Sequence, residues 1–249
     1  MSKLQGKVAI VTGSSMGIGA DIAKGFATEG ASVVVNYPSE KENANKVLDE
    51  IAQAGGKAIA VMADISVEAD VIRLFEETRK AFGRLDVLVN NAGVYKFAPI
   101  EEVTPELFHL HFNINVLGTL LACRQAVKLF GDRGGSIINL ASAAIVLNLP
   151  TSSVYAASKS AINTITAVLA KELGPRKIRV NSISPGLIDT EGTHAAGFIG
   201  SDLETSLAAQ TPLGRTGRPS DITPIAVFLA SEESGWLTGE NLVVSGGLR

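Results

Sequence analysis

Short apolar runs alternate along this chain with stretches whose apolar positions recur every three or four residues. Val8-Ala9-Ile10-Val11, Val33-Val34-Val35, Ala58 to Ala63, Leu85 to Val89, Ser136 to Leu140, Arg179 to Ile183 and Asn241 to Val244 are too short for helices and read as strands. Between them, Ile18, Ile22 and Phe26 recur up to Gly30; Ala44, Val47, Leu48 and Ile51 run to Gly55-Gly56; Val71, Leu74, Phe75 and Phe82 run to Gly83. A glycine just past the last periodic residue stops a helix, because it takes the left-handed conformation without a β-carbon clash. Thr104-Pro105 reads as an N-cap with proline in the first turn, opening a long helix toward Lys128. Further helices are expected near 154–173 and 221–230. Strands alternating with helices, and apolar throughout, predict an α/β fold: a mainly parallel sheet, doubly wound, with helices on both faces. Ligand is then expected beyond the C-terminal ends of the strands.

The first strand runs into Thr12-Gly13-Ser14-Ser15-Met16-Gly17-Ile18-Gly19, and the first helix follows at once. Glycines let the backbone approach a pyrophosphate, while a helix N-terminus offers free N–H groups and the positive end of a dipole. The spacing Gly-x3-Gly-x-Gly departs from the usual Gly-x-Gly-x-x-Gly fingerprint. No Lys-Ser/Thr follows the last glycine, so a nucleotide-triphosphate loop is excluded.

A second signal is Tyr155-Ala156-Ala157-Ser158-Lys159, with Ser142 upstream. Residues four apart share a helix face. A phenol ionises near pKa ~10, and a cation beside it is expected to draw that value down toward the working range. Ser142 adds a hydroxyl able to hold a substrate oxygen beside the Tyr155 hydroxyl. The three together point to proton transfer at an alcohol or carbonyl oxygen.

Thr12-Gly-x3-Gly17-x-Gly19, Asn90-Asn91-Ala92-Gly93, Asn115, Ser142, Tyr155-x3-Lys159 and Pro185-Gly186 resemble, in order and spacing, the short-chain dehydrogenase/reductase family. The resemblance runs over essentially the whole chain and implies a single Rossmann-type domain over residues 1–249, both dinucleotide-binding and catalytic. It implies Tyr155 as general acid in reduction and base in oxidation, and Lys159 as the cation that lowers its pKa and meets the nicotinamide ribose. Ser142 is implied to orient the substrate oxygen, and Asn115 to hold a water linking Lys159 to solvent. For the cofactor it implies Gly13, Ser15, Met16, Gly17, Ile18 and Gly19 at the pyrophosphate, and Asp64 and Ile65 at the adenine. Asn91, Ala92 and Gly93 are implied along the adenine ribose, and Pro185, Gly186, Ile188 and Thr190 at the carboxamide. Hydride passes directly between nicotinamide and carbon, so no metal is needed. Asp64 as a simple helix cap remains an alternative.

Cofactor choice turns on the end of the second strand, where an acid would bind the ribose 2′-OH and repel a 2′-phosphate. Asn36 stands there, then Tyr37, Pro38, Ser39, Glu40 and Lys41. Asn36 is expected to face the ribose without repelling a phosphate, Tyr37 to lie beside it, and Ser39 and Lys41 to meet the phosphate, with Glu40 a counter-charge to Lys41. NADP(H) is therefore preferred and NAD(H) is the alternative. Met16, where an Arg or Lys would strengthen the case, weakens it.

The segment near 190–212 is rich in small residues and reads as a mobile substrate loop. Val94, Tyr95, Ala144, Leu147, Leu149, Leu187 and Phe198 are expected as apolar pocket walls. They suit a ketone or 3-oxoacyl reductase, with a glucose-type sugar or polyol dehydrogenase as the alternative. A basic carrier-protein surface at Arg124, Lys128 and Arg133 is offset by Asp132. A catalytically idle dinucleotide-binding regulator is the non-enzyme rival, but Asn115, Ser142, Tyr155 and Lys159 are all in place. A sugar-nucleotide epimerase is a third reading, set aside for want of a second, substrate-binding domain.

Bulk properties narrow the setting. With 46% hydrophobic residues and a net charge of −3, the 249-residue chain supports a large core and has no global pull toward nucleic acid or membranes. Cys123, alone, excludes an intrachain disulfide and fits a cytoplasmic protein. His109, His111 and His194 form no metal-ligand pattern. His109 and His111 read as surface or core polar groups. Leu117, Leu120, Leu121, Ile162, Ile165 and Val168 exceed what one buried face needs, and predict a homotetramer with a second interface at Leu242 to Arg249.

Overall fold

The computed structural model describes residues 2–39 and 41–248. Glu40 and Arg249, invoked above, lie outside the described residues. The strands are β1 (Val8–Val11), β2 (Ser32–Tyr37), β3 (Lys57–Met62), β4 (Val87–Asn90), β5 (Gly135–Leu140), β6 (Ile178–Pro185) and β7 (Asn241–Val244). All pair in parallel, in the order β3-β2-β1-β4-β5-β6-β7. The helices are α1 (Gly17–Thr28), α2 (Lys41–Gln53), α3 (Glu68–Phe82), α4 (Pro105–His111), α5 (Thr119–Phe130), α6 (Ala144–Leu147), α7 (Ser153–Leu173), α8 (Glu191–Ala195), α9 (Asp202–Gln210) and α10 (Pro219–Ala230).

Each strand feeds both faces because successive side chains point to opposite sides of the sheet. In β1, Ala9 and Val11 join the core under α1, α2 and α10, with Ile22, Phe26, Val47, Ile51 and Ile222. Val8 and Ile10 join the opposite core, under α3, α5 and α7, with Leu74, Phe75, Phe130 and Leu173. Phe26 and Phe130 are fully buried, one in each core, and each contributes about 2–3 kcal/mol by burial alone. This accounts for the predominantly apolar strands.

Three local features depart from the sequence reading. The long helix is interrupted: between α4 and α5, Phe112–Gly118 winds as a π-helix. Such widened turns are rare and gather at functional sites, and this one carries Asn115. The expected N-cap is present, with Thr104 Oγ1 accepting the Leu107 N–H at 3.2 Å. The substrate segment is not a plain loop. It forms α8 and α9, capped by Thr190 and Ser201. Helix α10 starts earlier than expected, with Pro219 in its first turn and the Asp221 carboxylate accepting the Arg218 N–H at 2.7 Å.

The chain runs outward from β1 to β3, then crosses back to β4 on the other side of β1. That reversal opens a crevice beyond the strand ends, and the loops after β1, β4, β5 and β6 meet around it.

Candidate active site

A cavity of about 480 Å³ occupies the crevice. At one end is the loop between β1 and α1, stitched to its neighbours by buried side chains. Thr12 Oγ1 accepts the Asn91 and Ala92 N–H groups at 3.0 and 3.1 Å. Asn91 Nδ2 returns bonds to the Thr12 and Gly13 carbonyls, both at 2.9 Å. Ser14 Oγ donates to the Val11 carbonyl at 2.6 Å and accepts the Asn36 N–H at 3.1 Å. Gly19 sits where nothing larger fits, since a β-carbon there would lie 2.4 Å from Asn91 Nδ2 and 2.5 Å from the Gly13 carbonyl oxygen.

Whether this end suits a dinucleotide pyrophosphate can be read from what it already binds. The Gly17 N–H, at the start of α1, donates to Glu191 Oε2 at 3.1 Å. An anionic oxygen is thus held at the positive end of the helix dipole, as the chemistry of a phosphate site requires. Gly13, Ser15, Met16, Gly17, Ile18, Asn91, Ala92, Asp64 and Ile65 all line the cavity, and the donor set fits the group.

The end of β2 needs correction. Asn36 lines the cavity but is almost wholly buried, and its amide is committed elsewhere. Oδ1 accepts the Gly13 N–H at 3.0 Å, and Nδ2 donates to the Val61 and Ala63 carbonyls at 3.3 and 3.0 Å. Asn36 therefore ties the glycine loop to β3 and has no donor left for a ribose. Tyr37 packs into the α1–α2 core, and Ser39 is exposed; neither lines the cavity, whereas Pro38 does. Asp64 is at the cavity, and its Oδ1 accepts the Ser66 N–H at 2.8 Å in a tight local turn. It does not cap α3, whose N-cap is Val67.

At the other end, α7 presents Tyr155 and Lys159 one turn apart, facing Ser142 beyond β5. Ser142 Oγ accepts the Ala144 N–H at 3.1 Å, which leaves its own proton to give. It lines the cavity together with Tyr155. Lys159 is nearly buried and donates to the Leu140 carbonyl at 2.8 Å. Burial lowers the Lys159 ammonium to about 8. Burial also pushes the Tyr155 phenol up to about 12, with the nearby Ser142 hydroxyl working against that rise.

Asn115 does not line the cavity. Its Oδ1 accepts the Val94 N–H at 2.9 Å, and its Nδ2 donates to the Val94 carbonyl at 3.1 Å and to Ser158 Oγ at 3.0 Å. It still converges with Lys159, since a β-carbon on Gly93 would lie 3.2 Å from Asn115 Oδ1 and 3.3 Å from Lys159 Nζ. Pro185, Gly186, Ile188 and Thr190 line the cavity after β6 as expected.

All seven expected wall residues line the cavity. Sequence reasoning missed Phe97, whose ring lies 5.6 Å from Tyr155 and 5.2 Å from Phe198, centroid to centroid. Tyr95 completes the set, 6.4 Å from Tyr155 and 6.0 Å from Phe198. Burial raises its phenol. Leu203 and Leu207 of α9 were also missed. Their signal was available: aromatic residues at 95 and 97 on one segment, and leucines four apart. No group of metal-ligating side chains gathers among the described residues.

Comparison with known proteins agrees with this arrangement. Residues 13–249 match a family model described as enoyl-(acyl carrier protein) reductase. An uncharacterized oxidoreductase of Methylorubrum extorquens is 57% identical over the full length of both chains. A probable tetrahydroxynaphthalene reductase of Zymoseptoria tritici is 40% identical over 98% of this chain and 95% of its own. Among solved structures, a short-chain dehydrogenase/reductase of Serratia marcescens superposes with a TM-score of 0.93 at 36% identity, covering 99% of each chain.

Proposed function

This chain belongs to the short-chain dehydrogenase/reductase family of NAD(P)-dependent oxidoreductases, and on that premise we propose that it reduces ketones carried on a planar, apolar ring, with NADPH as donor. The observation that carries the reading is the convergence of Ser142, Tyr155 and Lys159 on one cavity whose walls at that point are Tyr95, Phe97 and Phe198. Such rings take flat apolar substrates by offset and edge contacts.

The glycine loop, Asp64, Ile65, Asn91, Ala92 and Gly93 would hold the dinucleotide, with Pro185, Gly186, Ile188 and Thr190 at its nicotinamide. When bound, that group supplies the hydride. Ser142 donates its free proton to the substrate oxygen and orients it. The Tyr155 hydroxyl gives its proton to that oxygen as charge develops there. A phenol held high keeps its proton at neutral pH, which suits the reductive direction. The Lys159 ammonium stands one helical turn away, to stabilise the phenolate left behind. In oxidation the same atoms run in reverse.

The apolar walls favour a ketone over a sugar, whose hydroxyls need polar partners. A bulky carrier-protein substrate gains nothing from Arg124, whose guanidinium is paired with Glu68. The resemblance to the Zymoseptoria reductase supports a bicyclic aromatic substrate. The NADPH preference rests on Asn36 near the end of β2 and Pro38 just past it, the two cavity-lining residues there, neither of which repels a phosphate. A homotetramer belongs to the same reading. Leu117, Leu120 and Val168 are exposed, whereas Leu121 and Ile162 are spent on the core. No helix among the described residues is long and apolar enough to cross a membrane, and a cytoplasmic setting fits the lone, buried Cys123.

The test is a panel of bicyclic aryl ketones, 3-oxoesters and sugars assayed with NADPH and NADH, with sedimentation for assembly. Turnover of 3-oxoesters or sugars far above that of aryl ketones overturns the substrate class. A strong preference for NADH overturns the cofactor.

A further inference from the structure

His111 is fully buried at the end of α4, and the proton path above does not use it. Its Nδ1 lies 2.9 Å from the Leu107 carbonyl oxygen, and its Nε2 accepts the Lys96 N–H at 3.1 Å. A carbonyl only accepts and a backbone N–H only donates, so the neighbours fix the ring state: proton on Nδ1, lone pair on Nε2, no charge.

Lys96 stands between Tyr95 and Phe97, the two rings that flank Tyr155. The strap that carries them is pinned at three points. Asn115 holds Val94 at one end, and the Thr151 carbonyl accepts the Ala98 N–H at 2.9 Å at the other. His111 holds the middle. Its ring also meets Tyr155 edge-on, at 6.2 Å between centroids and 66° between planes.

We propose that His111 is a positioning residue: through Lys96 it fixes Tyr95 and Phe97 against Tyr155, and so sets the binding of ring-bearing ketones rather than the proton transfer itself. The inference rests on the ketone-reductase reading. It assigns specificity to a side chain that lines no part of the cavity.

Three variants separate this from a packing role. His111→Gln places an amide oxygen where Nε2 lies and keeps the Lys96 bond. His111→Asn reaches only toward Leu107, and His111→Phe fills the volume with no polar atom. For 1-tetralone reduced with NADPH, the Asn and Phe variants are expected to raise KM about tenfold while kcat stays within about threefold, the mark of lost binding common to ground and transition states. The Gln variant is expected to stay near the parent KM. NADPH affinity, read by fluorescence titration, is expected to be unchanged in all three. In hydrogen–deuterium exchange, the 95–97 peptide is expected to lose protection in Asn and Phe and keep it in Gln. Unchanged KM in the Asn variant, or a Gln variant as impaired as Phe, overturns the proposal. If the unaltered enzyme does not reduce 1-tetralone, the functional reading falls. Exchange then decides the His111 role alone, and protection retained in both Asn and Phe overturns it.

Discussion

At the glycine-loop end of the cavity, Thr12, Ser14, Asn36 and Asn91 bond backbone groups on β1, β3, β4 and the loops between them. At the aromatic end, Tyr95, Phe97, Tyr155 and Phe198 meet mainly through ring faces and edges. A site for an anionic cofactor needs N–H groups fixed in direction, and fixing them consumes every nearby polar side chain. A site that chooses among ketones needs shape, and apolar walls can be exchanged without stranding a buried donor or acceptor. One end is built to resist substitution and the other to tolerate it.

The sharpest division is expected at Tyr155. Tyr155→Phe keeps the ring packed but removes the proton, so kcat should fall by about a thousandfold. NADPH affinity should change by less than about threefold. Steady-state rates with a fluorescence titration check both, and retention of most of kcat would remove Tyr155 from the chemistry.

At the opposite end, Asn36→Asp is expected to damage the fold rather than retune the cofactor. The carboxylate would face the Val61 and Ala63 carbonyls, which lose their donors, at a cost of about 3 kcal/mol. For a chain of this size the melting temperature should fall by about 6–12 °C. A variant as stable as the parent, with preference moved to NADH, would show that Asn36 turns outward.

Lys159 lies where the two ends join. Its folded value, about 8, is below the ordinary 10.5. Between those values the unfolded chain holds a proton that the folded chain has released, so parent stability rises with pH across that window. Lys159→Met removes the buried charge. The variant should be more stable at pH 7, by on the order of 1–2 kcal/mol, and the gap should narrow toward pH 10. It should also lose turnover and NADPH affinity. Urea midpoints at the two pH values decide it, since a variant less stable at pH 7 contradicts a burial penalty.

The smallest effect is expected from Pro38→Asp. Pro38 is the cavity-lining residue just past β2 that carries no hydrogen-bonding duty, and a carboxylate there should repel a 2′-phosphate. The ratio of kcat/KM for NADPH over NADH should fall about tenfold, equivalent to about 1.4 kcal/mol. An unchanged ratio would place the ribose elsewhere.

The same contrast explains what was legible in the sequence. Apolar runs gave strands to within two residues, because a sheet covered on both faces keeps a run of apolar positions in each strand even where buried polar residues such as Asn139 and Asn181 interrupt it. Gly13, Gly17, Gly19, Tyr155 and Lys159 were readable by spacing, which the chain itself sets. Asn36 was misread because position at a strand end does not reveal whether an amide faces ligand or the neighbouring strand. Tyr37 was misread for the same reason and belongs to the core. The π-helix at Phe112–Gly118 keeps an ordinary helical pattern of apolar residues, so nothing in the letters marks the widened turn. His111 was read only as a surface or core polar group, because its partner, the Lys96 N–H, is backbone and has no letter of its own. Phe97, Leu203 and Leu207 left a signal in their spacing, but which cavity they would line is set by tertiary packing.

The Gly17 N–H has a single hydrogen to give, and in this structure it gives it to Glu191, the first residue of α8. That bond makes the start of α1 a latch for the helix that flanks the substrate pocket. One N–H cannot serve two oxygens equally well, so an anion arriving at the glycine loop competes with the Glu191 carboxylate for it.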